Sequence, residues 1–236
     1  MDAFIESINP AYCYVFAFLL LAIFIGNLVL FVKSKDKLFI IVCLVSFGLF
    51  YDMFITALGS VLEPFDAFYG LSLMRHVFHS LLTPLLFVYA LQVFRDSGKL
   101  LHKKYTIITY AFVAFVIISG IVSIFTSPVY QKTYGGVVQL SIDKSNTYLY
   151  AVIILQFMNF GSLIPMIAGS IVSIKYLKDY NIFIATAVMC VMSGLGSALF
   201  PNTMFVPSYI GEACIAFFFG KYIYDQHYKK TRISRT

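Results

Sequence analysis

The chain has 236 residues, of which 60% are hydrophobic and only 12% charged. Soluble domains carry about a quarter charged residues, and a soluble fold of this length could not hide so much apolar surface, whereas a lipid solvent removes that difficulty. The net charge is +6, yet no basic groove-reading helix stands outside the apolar runs, so a nucleic-acid partner is excluded.

The chain starts MDAFIESINPAY, an acidic stretch. A secretory signal needs a basic start and a small-residue cleavage site, so the first apolar segment is expected to stay. No lipidation pattern fits the termini. Seven apolar segments then follow, at about 11–32, 38–62, 70–94, 106–126, 147–174, 181–200 and 204–224. Several exceed the roughly 18 consecutive apolar residues that suggest a spanning helix. They run on without alternating, which argues for helices over a barrel. The expected fold is therefore an all-α membrane protein, a seven-transmembrane-helix bundle forming one polytopic domain over residues 1–236.

Pro84 in segment three and Pro165 in segment five are expected to kink their helices, with Thr83 and Ser162 close enough to satisfy the freed carbonyls. Most connections are short. The exception is SPVYQKTYGGVVQLSIDKSN, residues 127–146, where Gly135-Gly136 between two alternating stretches suggests a hairpin able to cover a cavity. One internal echo exists. GNLVLFVKSKDKLFII (26–41) aligns without gaps on GSIVSIKYLKDYNIFI (169–184), matching at Gly, Val, Lys-Asp and the last Ile. Such an echo fits a duplicated half-bundle of the kind some transporters use.

Basic residues set the orientation. With the N-terminus outside, the inward segments hold Lys33, Lys35, Lys37, Arg95, Lys99, Lys103, Lys104, Lys175, Lys178, Lys221, Lys229, Lys230, Arg232 and Arg235, and the outward segments only Lys132 and Lys144. Lys and Arg are retained on the cytosolic side, so the C-terminus is expected to be cytosolic, with anionic membrane lipids as partners of that face. His102 and His227 fall in those inward segments and read as solvated. Cys13, Cys43, Cys190 and Cys214 lie in or beside apolar runs without C-x-x-C spacing, so they read as small core residues.

Ionisable groups inside the segments carry the functional argument. Segment two holds Asp52, segment three Arg75, His76 and His79, and segment seven Glu212. At about 1.5 Å rise per residue, Asp52, His76, His79 and Glu212 share one depth band, roughly 9–15 Å from the outer helix ends. His76, His79, Ser80 and Thr83 are spaced at three and four residues, as is Gly48-Asp52-Thr56-Gly59 and Ser208-Glu212-Ala216-Gly220, so each set reads as one polar or small stripe. Gln156, Asn159, Ser193 and Ser197 would extend the lining of an outward-facing pocket.

Charge in lipid is costly and is normally paired and often functional. One reading is a metal site, with His76, His79, Asp52 and Glu212 as ligands for zinc or iron. Asp52 or Glu212 would then accept a proton, with Arg75 or Ser80 steadying an oxyanion. A second is a binding or proton-relay site without metal. A third is purely structural, with Arg75 snorkelling or pairing to fix helix register. Histidines, carboxylates, a hydroxyl and an arginine together are a hydrolase's residue set. The first expectation is therefore a metal-assisted hydrolase of a lipid or other apolar substrate, with catalytic residues Asp52, Glu212, Arg75 and Ser80. The alternative is a small-molecule or proton-coupled transporter, or a seven-helix sensor. Lys221 stands at the end of segment seven, so no retinal Schiff base is expected, and no nucleotide.

Overall fold

The computed structural model describes residues 2–61, 66–98, 103–134, 137–143, 146–199 and 205–229. About 84% of the described residues are helical, and among them the architecture is all-α apart from one hairpin. In order the elements are α1 (Asp2–Ser34), α2 (Leu38–Leu58), α3 (Asp66–Leu82), α4 (Leu85–Asp96), α5 (Lys103–Thr126), β1 (Val129–Tyr134), β2 (Val137–Ile142), α6 (Leu149–Phe160), α7 (Leu163–Val172), α8 (Asn181–Leu199) and α9 (Phe205–Ile223). Short π-helical turns extend α7 over Ser173–Leu177 and α9 over Tyr224–Lys229. Among the described residues four stretches are long and apolar enough to cross a membrane: Pro10–Ser34, Leu38–Leu58, Phe68–Asp96 and Lys103–Thr126.

The third and fifth apolar segments are each split in two, for one chemical reason. Proline has no N–H to give the carbonyl four residues back, and its ring crowds that carbonyl. After Pro84 the chain makes a tighter turn, in which Leu86 N–H donates to the Thr83 carbonyl and Phe87 N–H to the Pro84 carbonyl, both at 3.1 Å. In segment five the break falls at Gly161 and Ser162, before Pro165 and not at it. The bond Pro165 cannot make would end on the Gly161 oxygen, which instead accepts from Ile164 N–H at 3.2 Å. The first break therefore falls at its proline and the second about one turn before it.

Two apolar clusters hold the bundle. One joins Cys13, Ala17 and Leu20 of α1 to Met53 and Ala57 of α2 and to Tyr209, Ala213 and Ala216 of α9. Its small residues let three helices approach closely. The other joins α2, α4, α7, α8 and α9 through Phe39, Tyr89, Val93, Met166, Ile182 and Phe219. Polar pins fix register between them. Asn27 is buried, and its Nδ2 donates to Ser46 Oγ at 3.4 Å and to the Ala216 carbonyl at 3.2 Å. Gly220 is what admits it, because a Cβ there would stand 2.0 Å from Asn27 Oδ1.

The two ends of the bundle differ. At one end β1 and β2 pair antiparallel from Val129↔Ile142 to Tyr134↔Val137. This is the hairpin that the alternating pattern suggests; its tip, Gly135-Gly136, lies outside the described residues. The hairpin sits on the end of α2. Val138 N–H donates to the Gly59 carbonyl at 3.0 Å, and a Cβ on Gly59 would meet the Val138 carbonyl oxygen at 2.0 Å. At the opposite end, α1 and the α7 extension finish in matching turns. Lys35 and Lys178 adopt left-handed backbone angles, φ +57° and +56°. Each precedes an aspartate that caps the next helix: Asp36 Oδ1 accepts from Leu38 N–H at 2.9 Å, and Asp179 Oδ1 from Asn181 N–H at 2.8 Å. These are the Lys-Asp positions of the internal echo.

Candidate functional site

Between the clusters, towards the hairpin, lies a cavity of about 250 Å³. The α2 wall comes from Val45, Gly48, Leu49 and Asp52, spaced by three, one and three residues so that they fall on one helical face. Arg75, His76, Phe78, His79 and Leu82 of α3 form the facing wall, continued by Thr83 at the break. Ser162, Met189, Glu212 and Ile215 close the remaining side from the α6–α7 break, α8 and α9. The proline-induced breaks thus turn Thr83 and Ser162 towards the cavity.

The electrostatic centre is an ion pair. Arg75 is 8% exposed, and its Nε donates to Asp52 Oδ1 across the α2–α3 interface. An arginine alone in an apolar bundle would be far more costly than one so paired. His76 looks the other way along α3. Its Nε2 lies 3.3 Å from the Leu140 carbonyl oxygen of β2; a carbonyl only accepts, so Nε2 carries the proton. His76 therefore ties the hairpin to the cavity wall. His79 lines the cavity and is also exposed on the molecular surface. Glu212 stands on the α9 wall, and its Oε2 is shut off from solvent with no hydrogen-bond partner among the described residues.

Asp52, Arg75, His76, His79 and Glu212 thus all line one cavity, while the described lining does not include Ser80. Ser80 is buried at 1% exposure. The reason is angular: at 3.6 residues per turn it lies roughly 120° around α3 from the middle of the arc formed by residues 75–83 that face the cavity. Spacing by four from His76 was not enough to place both on the working face. Gln156 and Ser193 also fall outside the described lining. The side chains of Asn159 and Ser197 lie outside the described residues.

A metal needs three or more ligands turned to one point. Among the described residues no group of three or more His, Cys, Asp or Glu side chains is so placed. His76, His79, Asp52 and Glu212 share a cavity without making a coordination sphere: Asp52 faces Arg75, and His76 faces the Leu140 carbonyl.

A second polar cluster, at the other end, corrects the reading of His227 as solvated. Its Nδ1 lies 2.6 Å from Asp36 Oδ2 and its Nε2 2.7 Å from Asp96 Oδ2. Carboxylates accept, so both ring nitrogens donate and the imidazole is cationic. The hydrogen bond to Asp96 outweighs partial burial and, with Asp36, lifts His227 to about 9. Tyr222 and Gln92 also donate to Asp96, both at 2.8 Å. The sequence signal was faint: only the Asp after each repeated lysine marks part of this cluster. His102 lies outside the described residues.

Compared with models of protein families, the chain matches none, and no curated protein is similar to it. Its class rests on its own residues: a helical protein with, among the described residues, four helices long and apolar enough to cross a membrane, compatible with an integral membrane protein.

Proposed function

We propose that the chain is a multi-pass membrane protein of seven spanning segments, N-terminus outside and C-terminus cytosolic, whose cavity binds a small, largely apolar molecule in the outer half of the bilayer. Support for seven segments comes from the split pairs α3–α4 and α6–α7, each of which reads in the sequence as one apolar run. Support for the orientation comes from the exposed Lys33, Lys35, Lys37, Arg95, Lys103, Lys104, Lys175, Lys178, Lys221 and Lys229, which flank helix ends on the side away from the hairpin.

The observation that carries the binding reading is the cavity itself, with apolar walls, one ion pair and a further carboxyl group from a third helix. Ligand pockets have this make-up, mostly apolar with a few convergent polar groups. At about 30 Å³ per water-sized volume, the cavity holds a molecule equal to about eight waters, smaller than a lipid. Such a site suits a sensor or carrier. The hydrolase expected from residue types has less behind it, since Ser80 stands off the cavity and Asp52 Oδ1 accepts from Arg75.

The test uses the purified full chain in lipid nanodiscs with 2-phenylethanol, a neutral amphiphile of suitable size. A ligand held at about 100 times its Kd stabilises by about 2.7 kcal/mol. Its thermal midpoint is expected to rise for the wild type and not for Leu49→Trp, which fills the cavity. No rise with this or any similar-sized amphiphile would overturn the binding reading. Hydrolysis of a phenethyl ester by the wild type, lost in Asp52→Asn, would replace it with the enzyme.

A further inference from the structure

The polar groups facing the cavity do not balance. Two carboxyl groups, Asp52 and Glu212, face it against one guanidinium, Arg75, and that guanidinium is bonded to Asp52. Glu212 Oε2 has no hydrogen-bond partner among the described residues. Among the described lining residues the other groups able to carry positive charge are the two histidines. His76 Nε2 is committed to a neutral carbonyl, a bond that does not require the cationic ring. His79 stands at the exposed edge. A buried acceptor left without a donor costs about 1–3 kcal/mol, more when charged, and native proteins keep few such groups without a reason. Glu212 as a residue is only partly buried and lines the cavity, so a ligand there can bring its carboxyl group a donor.

The rest of the lining describes that ligand. Leu49, Leu82, Met189 and Ile215 offer an apolar surface, and Phe78 adds a ring; an aromatic face attracts an organic cation as well as an apolar body. Resting on the binding reading above, we infer that the cavity takes a small organic monocation, an amine whose ammonium group faces Glu212 and whose apolar body lies against these side chains. An ammonium supplies up to three N–H donors and pairs with the one carboxyl group of the described lining that has no cationic partner. An anion would meet two carboxyl groups, and a neutral alcohol would supply a donor but no charge. The proposed access is beside His79, the exposed residue of the described lining.

The proposal is tested with three probes of one shape on the intact protein in nanodiscs: 2-phenylethylamine, 2-phenylethanol and 3-phenylpropanoate. Titration calorimetry at about pH 8 keeps the amine charged while ordinary imidazoles are neutral. The wild type is expected to bind the amine at least about tenfold more tightly than the alcohol, with no binding of the propanoate. In Glu212→Gln the amine's advantage is expected to vanish. Equal binding of amine and alcohol, a preference for the propanoate, or an amine preference that survives in Glu212→Gln each overturns the cation while leaving the pocket standing. Failure of all three probes on the wild type overturns the pocket as well. The wild-type comparison decides between charges even where the variant does not fold.

Discussion

The protein keeps two clusters of carboxylates at opposite ends of one bundle, and they are built differently. In the tail-end cluster each acid has several donors. Asp36 receives Leu38 N–H and His227, and Asp96 receives Gln92, Tyr222 and His227. Asp179 receives Asn181 and Gln226, while Asp225 receives Asn181 and Lys221. In the cavity Asp52 has Arg75, and Glu212 Oε2 has no partner among the described residues. Charge that serves structure is saturated with donors, because a half-satisfied buried network is worse than none. The unsaturated cluster also borders empty volume, and that coincidence separates a site from a brace.

The comparison breaks most violently at Arg75. Removing one partner of a buried pair leaves the other charge uncompensated, at about 3–5 kcal/mol. Arg75→Met is therefore expected to lose most folded, monodisperse protein, and Arg75→Met with Asp52→Leu to recover much of it. Size-exclusion profiles of the two variants check this; a stable single variant would mean that the pair is not what holds α2 on α3.

A smaller effect is expected at the saturated end. His227 is lifted from 6.5 to about 9, so its contribution is fully present below about pH 6.5 and is lost as pH rises to about 9. Chemical unfolding is expected to show that decline in the wild type and a flat profile across the same window in His227→Ala. The variant should lose on the order of 2 kcal/mol at low pH, the scale of hydrogen bonds to charged groups. A wild-type profile without the decline would contradict a cationic imidazole between Asp36 and Asp96.

The smallest change is expected at Glu212. With Oε2 unbonded among the described residues, Glu212→Gln breaks no hydrogen bond of that atom, so stability in the same unfolding assay should change by less than about 1 kcal/mol or rise. A loss well beyond that would mean that Glu212 braces the bundle as the tail-end acids do, and the contrast between the two ends would collapse.

Much of this was legible in the sequence, for local reasons. The stripe Gly48-Asp52 on α2 and the His76-His79-Thr83 face of α3 follow from helical spacing, and both line the cavity. The Lys-Asp echo is legible too, since both copies fold into the same left-handed turn and the same cap. What failed was tertiary or angular. His227 reaches acids 191 and 131 positions away in the chain, a contact no local pattern encodes. Ser80 obeys the spacing of its neighbours yet sits too far around the helix. The break near Pro165 appears at Gly161 because a proline's effect is felt at the carbonyl it cannot bond.

The repeated turn has one more consequence. Asp36 is bonded to His227 and Asp179 to Gln226, two adjacent residues of the π-helical turn after α9. Corresponding corners of the echo, far apart in sequence, therefore rest on a single short peg. Both corners therefore depend on the same short turn, whose hydrogen bonds tie the α1–α2 connection to the one between α7 and α8.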